Sequence, residues 1–140
     1  MTDTPAADLS PEQRDVFADI AHQVLESLQQ WLDFFEDPKF HSVPFIVLFL
    51  DLFATPGQKK SDLILALQTR TRISHSTAQR MLKDAEEAGY LVVSERIGER
   101  GLATELSAAL NEHCIAYLSG RTRKALSNLD ALDTLELGEE

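Results

Sequence analysis

Apolar residues recur at helical spacing through the first third of the chain. Phe17, Ala21, Val24, Leu28, Trp31 and Phe35 follow one another at intervals of four, three, four, three and four, a heptad-like stripe. Ile20, Leu25 and Leu32 widen it into a face too broad for one partner helix. The stripe packs either on its own domain alone or partly on a second subunit, and periodicity does not choose between them. Ser10-Pro11-Glu12-Gln13 opens the helix. Serine suits the N-cap, proline the first helical position, and Gln13 completes a capping box. Pro38 stops it, so the predicted helix runs from Ser10 to about Phe35. Residues 1–9 read as disordered. A second helix, Phe45 to Ala54, enters through Ser42-Val43-Pro44 and ends at Thr55-Pro56-Gly57. It is apolar nearly all round, which predicts a central place in the core.

The next segment changes character. Ser61 or Asp62 starts a third helix with Leu63, Ile64 and Leu67 inward, and Ser74 is the expected N-cap of a fourth. In that fourth helix Ala78, Met81, Leu82 and Ala85 sit at i, i+3, i+4 and i+7 and face the core. His75, Ser76, Gln79, Arg80 and Lys83 share the opposite face, and Thr77 lies in the first turn. Gly89 ends the helix. Two short β-like runs follow, Leu91 to Ser94 and Leu102 to Leu106, flanking Gly98 and Gly101, with Arg96 and Arg100 at the tip. Helix, turn, helix and hairpin in that order predict a winged helix-turn-helix. From Ser107 the pattern is helical again, through Leu110, Cys114, Tyr117 and Leu118 to Leu126, Leu129, Leu132 and Leu135, with Gly120 expected to break or bend it.

These readings give a mostly α fold with a small β-hairpin wing, flanked by N- and C-terminal helices. The expected organisation is a disordered segment 1–9, N-terminal helices for dimerisation and core over 10–58, the winged helix-turn-helix over 59–106, C-terminal dimerisation helices over 107–137, and a frayed tail over 138–140.

Charge sharpens the picture. The 140 residues carry a net charge of -10, which opposes simple nucleic-acid binding. The charge is uneven, however. Residues 1–58 hold two basic and ten acidic groups, residues 59–104 eight basic and six acidic, and residues 105–140 three basic and seven acidic. Only the middle segment is net positive. Acidic flanks repel phosphate, so they are expected to face away from DNA. Hydrophobic content of 44% and charged content of 26% are ordinary for a soluble globular protein. The longest apolar run, Val43 to Leu50, is eight residues long, too short to cross a bilayer. An acidic start without basic and apolar regions does not resemble a signal peptide. A single cysteine, Cys114, excludes an intrachain disulfide framework. These features predict a cytoplasmic protein that makes no membrane contact.

The stretch Leu67-Gln-Thr-Arg-Thr-Arg-Ile-Ser-His-Ser-Thr-Ala-Gln-Arg-Met-Leu82 resembles the helix-turn-helix of MarR-type winged-helix transcriptional regulators. Ala85-Glu-Glu-Ala-Gly-Tyr-Leu91 resembles the family's exit from the recognition helix, and Gly98-Glu-Arg-Gly-Leu-Ala-Thr-Glu-Leu-Ser107 is similar to its wing. The wing match is the more specific, because many helix-turn-helix families share the first. Together the motifs cover under a third of the chain. The resemblance implies a homodimer built from the first and last helices, Arg80 as the recognition-helix arginine, and Arg100 as the wing arginine at the minor groove. The sequence departs from the family pattern at three places. Arg72 stands where the turn usually has glycine, so that the turn is reshaped or Arg72 adds a phosphate contact. Gly98 occupies the usual wing aspartate position, with Glu99 beside it. The wing is short and carries Glu95 and Glu99, which weaken phosphate contact near the tip.

The side-chain types on the fourth helix are those a recognition helix needs: polar groups for base edges, Arg for guanine or phosphate, and Lys for phosphate. The candidate DNA-binding residues are His75, Ser76, Thr77, Gln79, Arg80, Lys83, Arg96, Arg100 and Arg72. Arg80 has a competing reading as the i+4 partner of Asp84. Arg70, Arg72, Lys59 and Lys60 have the competing reading of backbone contacts or plain surface. Cys114 sits among apolar residues and reads first as a small core side chain, with redox sensing as the rival. Asp19, His22 and Glu26 share a helix face but lack the second histidine or cysteine cluster of a metal site. No catalytic constellation, cofactor motif or metal motif supports an enzyme. The expectation is a DNA-binding regulator, a homodimeric repressor with helix 74–88 in the major groove and wing 91–106 at the minor groove. Its partners are double-stranded DNA, a second copy, and, as the resemblance allows, a small-molecule effector between the dimer helices and the winged module. Trp31, Phe34, Phe35, Phe40 and Phe45 line that effector site or form core. The alternative is a winged-helix protein–protein interaction module without DNA binding.

Overall fold

Ser10 caps the first helix as its capping box predicts. Its Oγ accepts the backbone N–H of Gln13 at 3.1 Å, and its own N–H donates to Gln13 Oε1 at 3.0 Å. In the computed structural model, which describes residues 9–95 and 102–139, helix α1 runs over Pro11–Asp33. The expected disordered segment 1–9 lies almost wholly outside the described residues, as do Arg96, Gly98, Glu99, Arg100 and Gly101. The chain divides into two compact units, one made of residues 1–33 and 116–140, the other of residues 34–115.

In the second unit, a 3-10 turn over Pro38–His41 precedes α2, Val43–Ala54. The pattern did not predict this turn. Asp37 starts it, accepting the Lys39 N–H at 3.0 Å. Helix α1 stops two residues short of the expected Phe35, because Phe35 is drawn into an aromatic cluster. Its ring stacks on Phe49 at 5.4 Å and meets Tyr90 edge-on at 5.2 Å. Phe40 and Phe45 join the cluster at 4.9 Å from one another. All four phenylalanines are buried, so Phe35, Phe40 and Phe45 serve the core.

Helix α3, Lys60–Thr71, and α4, His75–Glu87, form the helix-turn-helix. Helix α3 begins one residue before Ser61 and two before Asp62, the two expected starts. The hairpin strands are β1, Leu91–Glu95, and β2, Leu102–Leu106, antiparallel with Leu91 opposite Leu106 and Glu95 opposite Leu102. The linker before α3 adds to this sheet: Thr104 N–H donates to Gln58 O at 2.8 Å and Gly57 N–H to Thr104 O at 3.0 Å. The unit therefore takes in α2, its linker and the start of the last helix as well as the residues 59–106 expected from motifs.

Helix α5, Ala108–Glu139, passes through Gly120 without a break. The expected interruption is absent. No side chain crowds Gly120, and a glycine lowers helix propensity by only about 1 kcal/mol relative to alanine. In the first unit, Trp31 is fully buried and meets Tyr117 edge-on at 5.1 Å. Much of the predicted stripe stays open: Phe17 is 45%, Val24 36% and Leu25 61% exposed, with Leu126 and Leu129 of α5 at 62% and 58%. Among the described residues no helix is long and apolar enough to cross a membrane.

Candidate nucleic-acid interface

The recognition-helix candidate is set by its two ends. At the N-terminus Ser74 Oγ accepts the Thr77 N–H at 3.1 Å and donates to Thr77 Oγ1 at 2.9 Å. At the C-terminus Gly89 takes φ +85°, a conformation glycine adopts without penalty. Tyr90 N–H then reaches Ala85 O at 2.9 Å and Gly89 N–H reaches Glu86 O at 3.0 Å, a Schellman closure. Ala78, Met81, Leu82 and Ala85 are buried, as the periodicity predicts.

The opposite face is exposed. His75, Ser76, Gln79, Arg80 and Lys83 are all exposed, and Thr77, tied to the cap, is half-buried. Arg80 forms neither the i+4 pair with Asp84 nor any other ion pair among the described residues. Its guanidinium is therefore open to an outside partner. Lys60 and Arg70 are engaged: Lys60 Nζ lies 2.7 Å from Glu86 Oε1, and Arg70 lies 3.9 Å from Asp51. Neither pairing was visible in the sequence, because each spans two helices.

Arg72 resolves the first departure. It sits at φ 59°, ψ 30°, and its N–H donates to Gln68 O at 2.9 Å. The turn keeps the left-handed geometry that glycine would supply, with an arginine bearing the strain. Among the described residues it is the one non-glycine with positive φ. That placement leaves the Arg72 side chain exposed at the start of the turn into α4.

The other candidate sites look different in three dimensions. Cys114 is fully buried, and burial pushes its thiol up to about 11. A thiolate is the reactive species, so the structure favours the core reading over sensing. His113 stacks on Phe34 at 4.4 Å. Among the described residues no group of three or more His, Cys, Asp or Glu side chains is placed to hold a metal ion.

A tri-helical unit carrying a helix-turn-helix and an antiparallel hairpin is a winged helix-turn-helix. The fold is similar to that of the S. aureus MepR–DNA complex, with 18% identity over 89% of this chain and 97% of that one and a TM-score of 0.61. A variant of S. aureus MepR gives 17% identity, 90% and 88% coverage and a TM-score of 0.58. The multiple antibiotic-resistance repressor MarR from Listeria monocytogenes gives 16% identity, 99% and 94% coverage and a TM-score of 0.51. At these identities the likeness is one of fold: the chain has the winged-helix fold of MarR-type repressors. No protein-family model matches the sequence, and no curated protein does.

Proposed function

We propose that this protein is a sequence-specific, double-stranded-DNA-binding transcriptional regulator that works as a homodimer. The observation that carries the reading is the outward face of α4. There His75, Ser76, Gln79, Arg80 and Lys83 stand exposed opposite a fully apolar buried face. A helix so built enters the major groove with its first turn toward base edges and its cations toward phosphate. The hairpin β1–β2 would lie at the adjacent minor groove, with Arg96 and Arg100 of its tip as contacts. Arg72 would add a phosphate contact from the turn. The likeness to MepR, solved bound to DNA, supports the same use of the fold here. Repression by occlusion of a promoter is the mode we assign.

Dimerisation rests on the apolar surface of the unit formed by α1 and the second part of α5. Phe17, Leu25, Leu126 and Leu129 there are each at least 45% exposed, and exposed apolar side chains grouped on one unit are what a second copy would cover. Two modules related by a two-fold axis predict a near-palindromic site with half-sites about one helical turn apart. The same unit has a cleft of about 250 Å³ lined by Ile20, Val24, Leu129 and Leu132 together with Arg121 and Lys124. An amphiphilic anion is the class of small-molecule effector that such a lining suits.

The net charge of -10 favours one other reading, a winged helix that binds protein and not DNA. Gel-shift titration at low salt separates the two. Wild type is expected to retard duplex DNA, and Arg80→Ala combined with Arg100→Ala to lose that retardation. Unchanged binding in the double variant, or none in wild type, would overturn the DNA reading.

A further inference from the structure

The start of α4 is held from an unexpected direction. His75 is the first residue of the helix, and its Nδ1 lies 3.4 Å from Oε1 of Gln68, seven residues earlier in α3. Gln68 holds the turn at two points. Its carbonyl accepts the Arg72 N–H at 2.9 Å, and its side chain reaches across to His75. Arg72, in the left-handed region, lies in the turn between the two residues that make the second contact. Gln68 is half-buried while His75 is exposed, so the glutamine is the more fixed of the two.

As the Gln68 carboxamide stands, its oxygen faces the ring 3.4 Å away, and since a carboxamide oxygen only accepts hydrogen bonds, this arrangement calls for a proton on Nδ1. We propose that Gln68 is a positioning residue, holding His75 in its Nδ1–H tautomer so that α4 presents Nε2 as a bare acceptor. That tautomer is the minor one for an unconstrained histidine side chain. The base-reading part rests on the DNA-binding function proposed above. No group among the described residues partners Nε2. In a major groove such an acceptor takes a hydrogen bond from an exocyclic amine, adenine N6 or cytosine N4. It gives nothing to guanine O6 or N7 or to thymine O4, which need a donor. Gln68 thus contributes to sequence preference without touching DNA.

Two measurements test this, one of them independent of DNA. Long-range ¹H–¹⁵N correlation on the free, labelled protein at alkaline pH reads the tautomer directly. His75→Asn identifies the His75 ring among the four histidines. Wild-type His75 is expected to show a protonated Nδ1 and a bare Nε2, and Gln68→Leu to exchange the two. Gln68→Glu keeps an acceptor and is expected to keep the wild-type pattern. A bare Nδ1 in wild type, or no change in Gln68→Leu, overturns the proposal. In selection from random duplexes, Gln68→Leu is expected to relax the base preference at the same position as His75→Ala and nowhere else. Wild-type preference retained at that position in Gln68→Leu overturns the base-reading part. Failure of wild type to bind any duplex overturns the interface reading and this part with it, while the tautomer measurement still decides the positioning part.

Discussion

Lys60 Nζ donates to Glu86 Oε1 at 2.7 Å, joining the first turn of α3 to the last turn of α4 across 26 residues. The pair closes the helix-turn-helix at the end opposite its turn. Both side chains are partly exposed, at 43% and 38%, so solvent screens the interaction. A double-mutant cycle with Lys60→Met and Glu86→Gln is expected to give a coupling of about 0.2–1 kcal/mol in urea unfolding, shrinking with added salt. A coupling of zero at low salt would leave the pair without an energetic role.

Arg72→Gly should separate stability from binding. Relief of the left-handed strain is offset in part by the greater freedom of glycine in the unfolded chain, leaving a net gain of about 0.5–1 kcal/mol. If Arg72 makes the proposed phosphate contact, its loss should weaken DNA affinity and reduce the slope of log affinity against log salt by about one. Denaturant titration and salt-dependent binding curves measure the two effects. A variant both more stable and equally tight would show that Arg72 makes no DNA contact.

Thr104 lies fully buried in β2, and among the described residues its Oγ1 has no hydrogen-bond partner. Its backbone, not its hydroxyl, makes the bonds to Gly57 and Gln58. Valine has nearly the same shape without the buried polar atom. Thr104→Val is therefore expected to raise the unfolding free energy by about 1 kcal/mol, measured by chemical denaturation. Destabilisation instead would mean that the hydroxyl is satisfied.

The thiol of Cys114 is displaced upward, from 9.0 to about 11, by burial. The folded state therefore keeps a proton that the unfolded chain releases between those values. Stability from this group is fully present below pH 9 and is lost as pH rises towards 11, by an amount on the order of 2 kcal/mol. Comparing wild type with Cys114→Ala over that range isolates the effect, and the alkaline loss should be smaller in the variant. Native protein at neutral pH should resist thiol reagents until it unfolds.

Leu126 and Leu129 are 62% and 58% exposed on α5. If a second copy covers them, Leu126→Glu with Leu129→Glu should convert a dimeric mass to a monomeric one in sedimentation equilibrium. A monomeric wild type would end the dimer proposal.

Much of the candidate recognition helix is legible in the sequence because its determinants are local. The serine cap at Ser74, the buried row Ala78, Met81, Leu82 and Ala85, and the stop at Gly89 all act within a few residues. The local signals were less decisive elsewhere. Pro38 marked where α1 must have ended but not that Phe35 would leave the helix for Phe49 and Tyr90. Gly120 signalled a break, yet propensity is too weak to interrupt a 32-residue helix.

The order of elements and the polar face of α4 follow from local pattern, since helical periodicity and capping depend on neighbours three or four positions apart. Tertiary structure alone decided that Arg72 takes up the glycine conformation and that Lys60 is spent on Glu86. It also decided that Gln58 joins Thr104 and that Gln68 reaches His75. Each of these depends on where the chain returns after a turn, and no local pattern encodes that return.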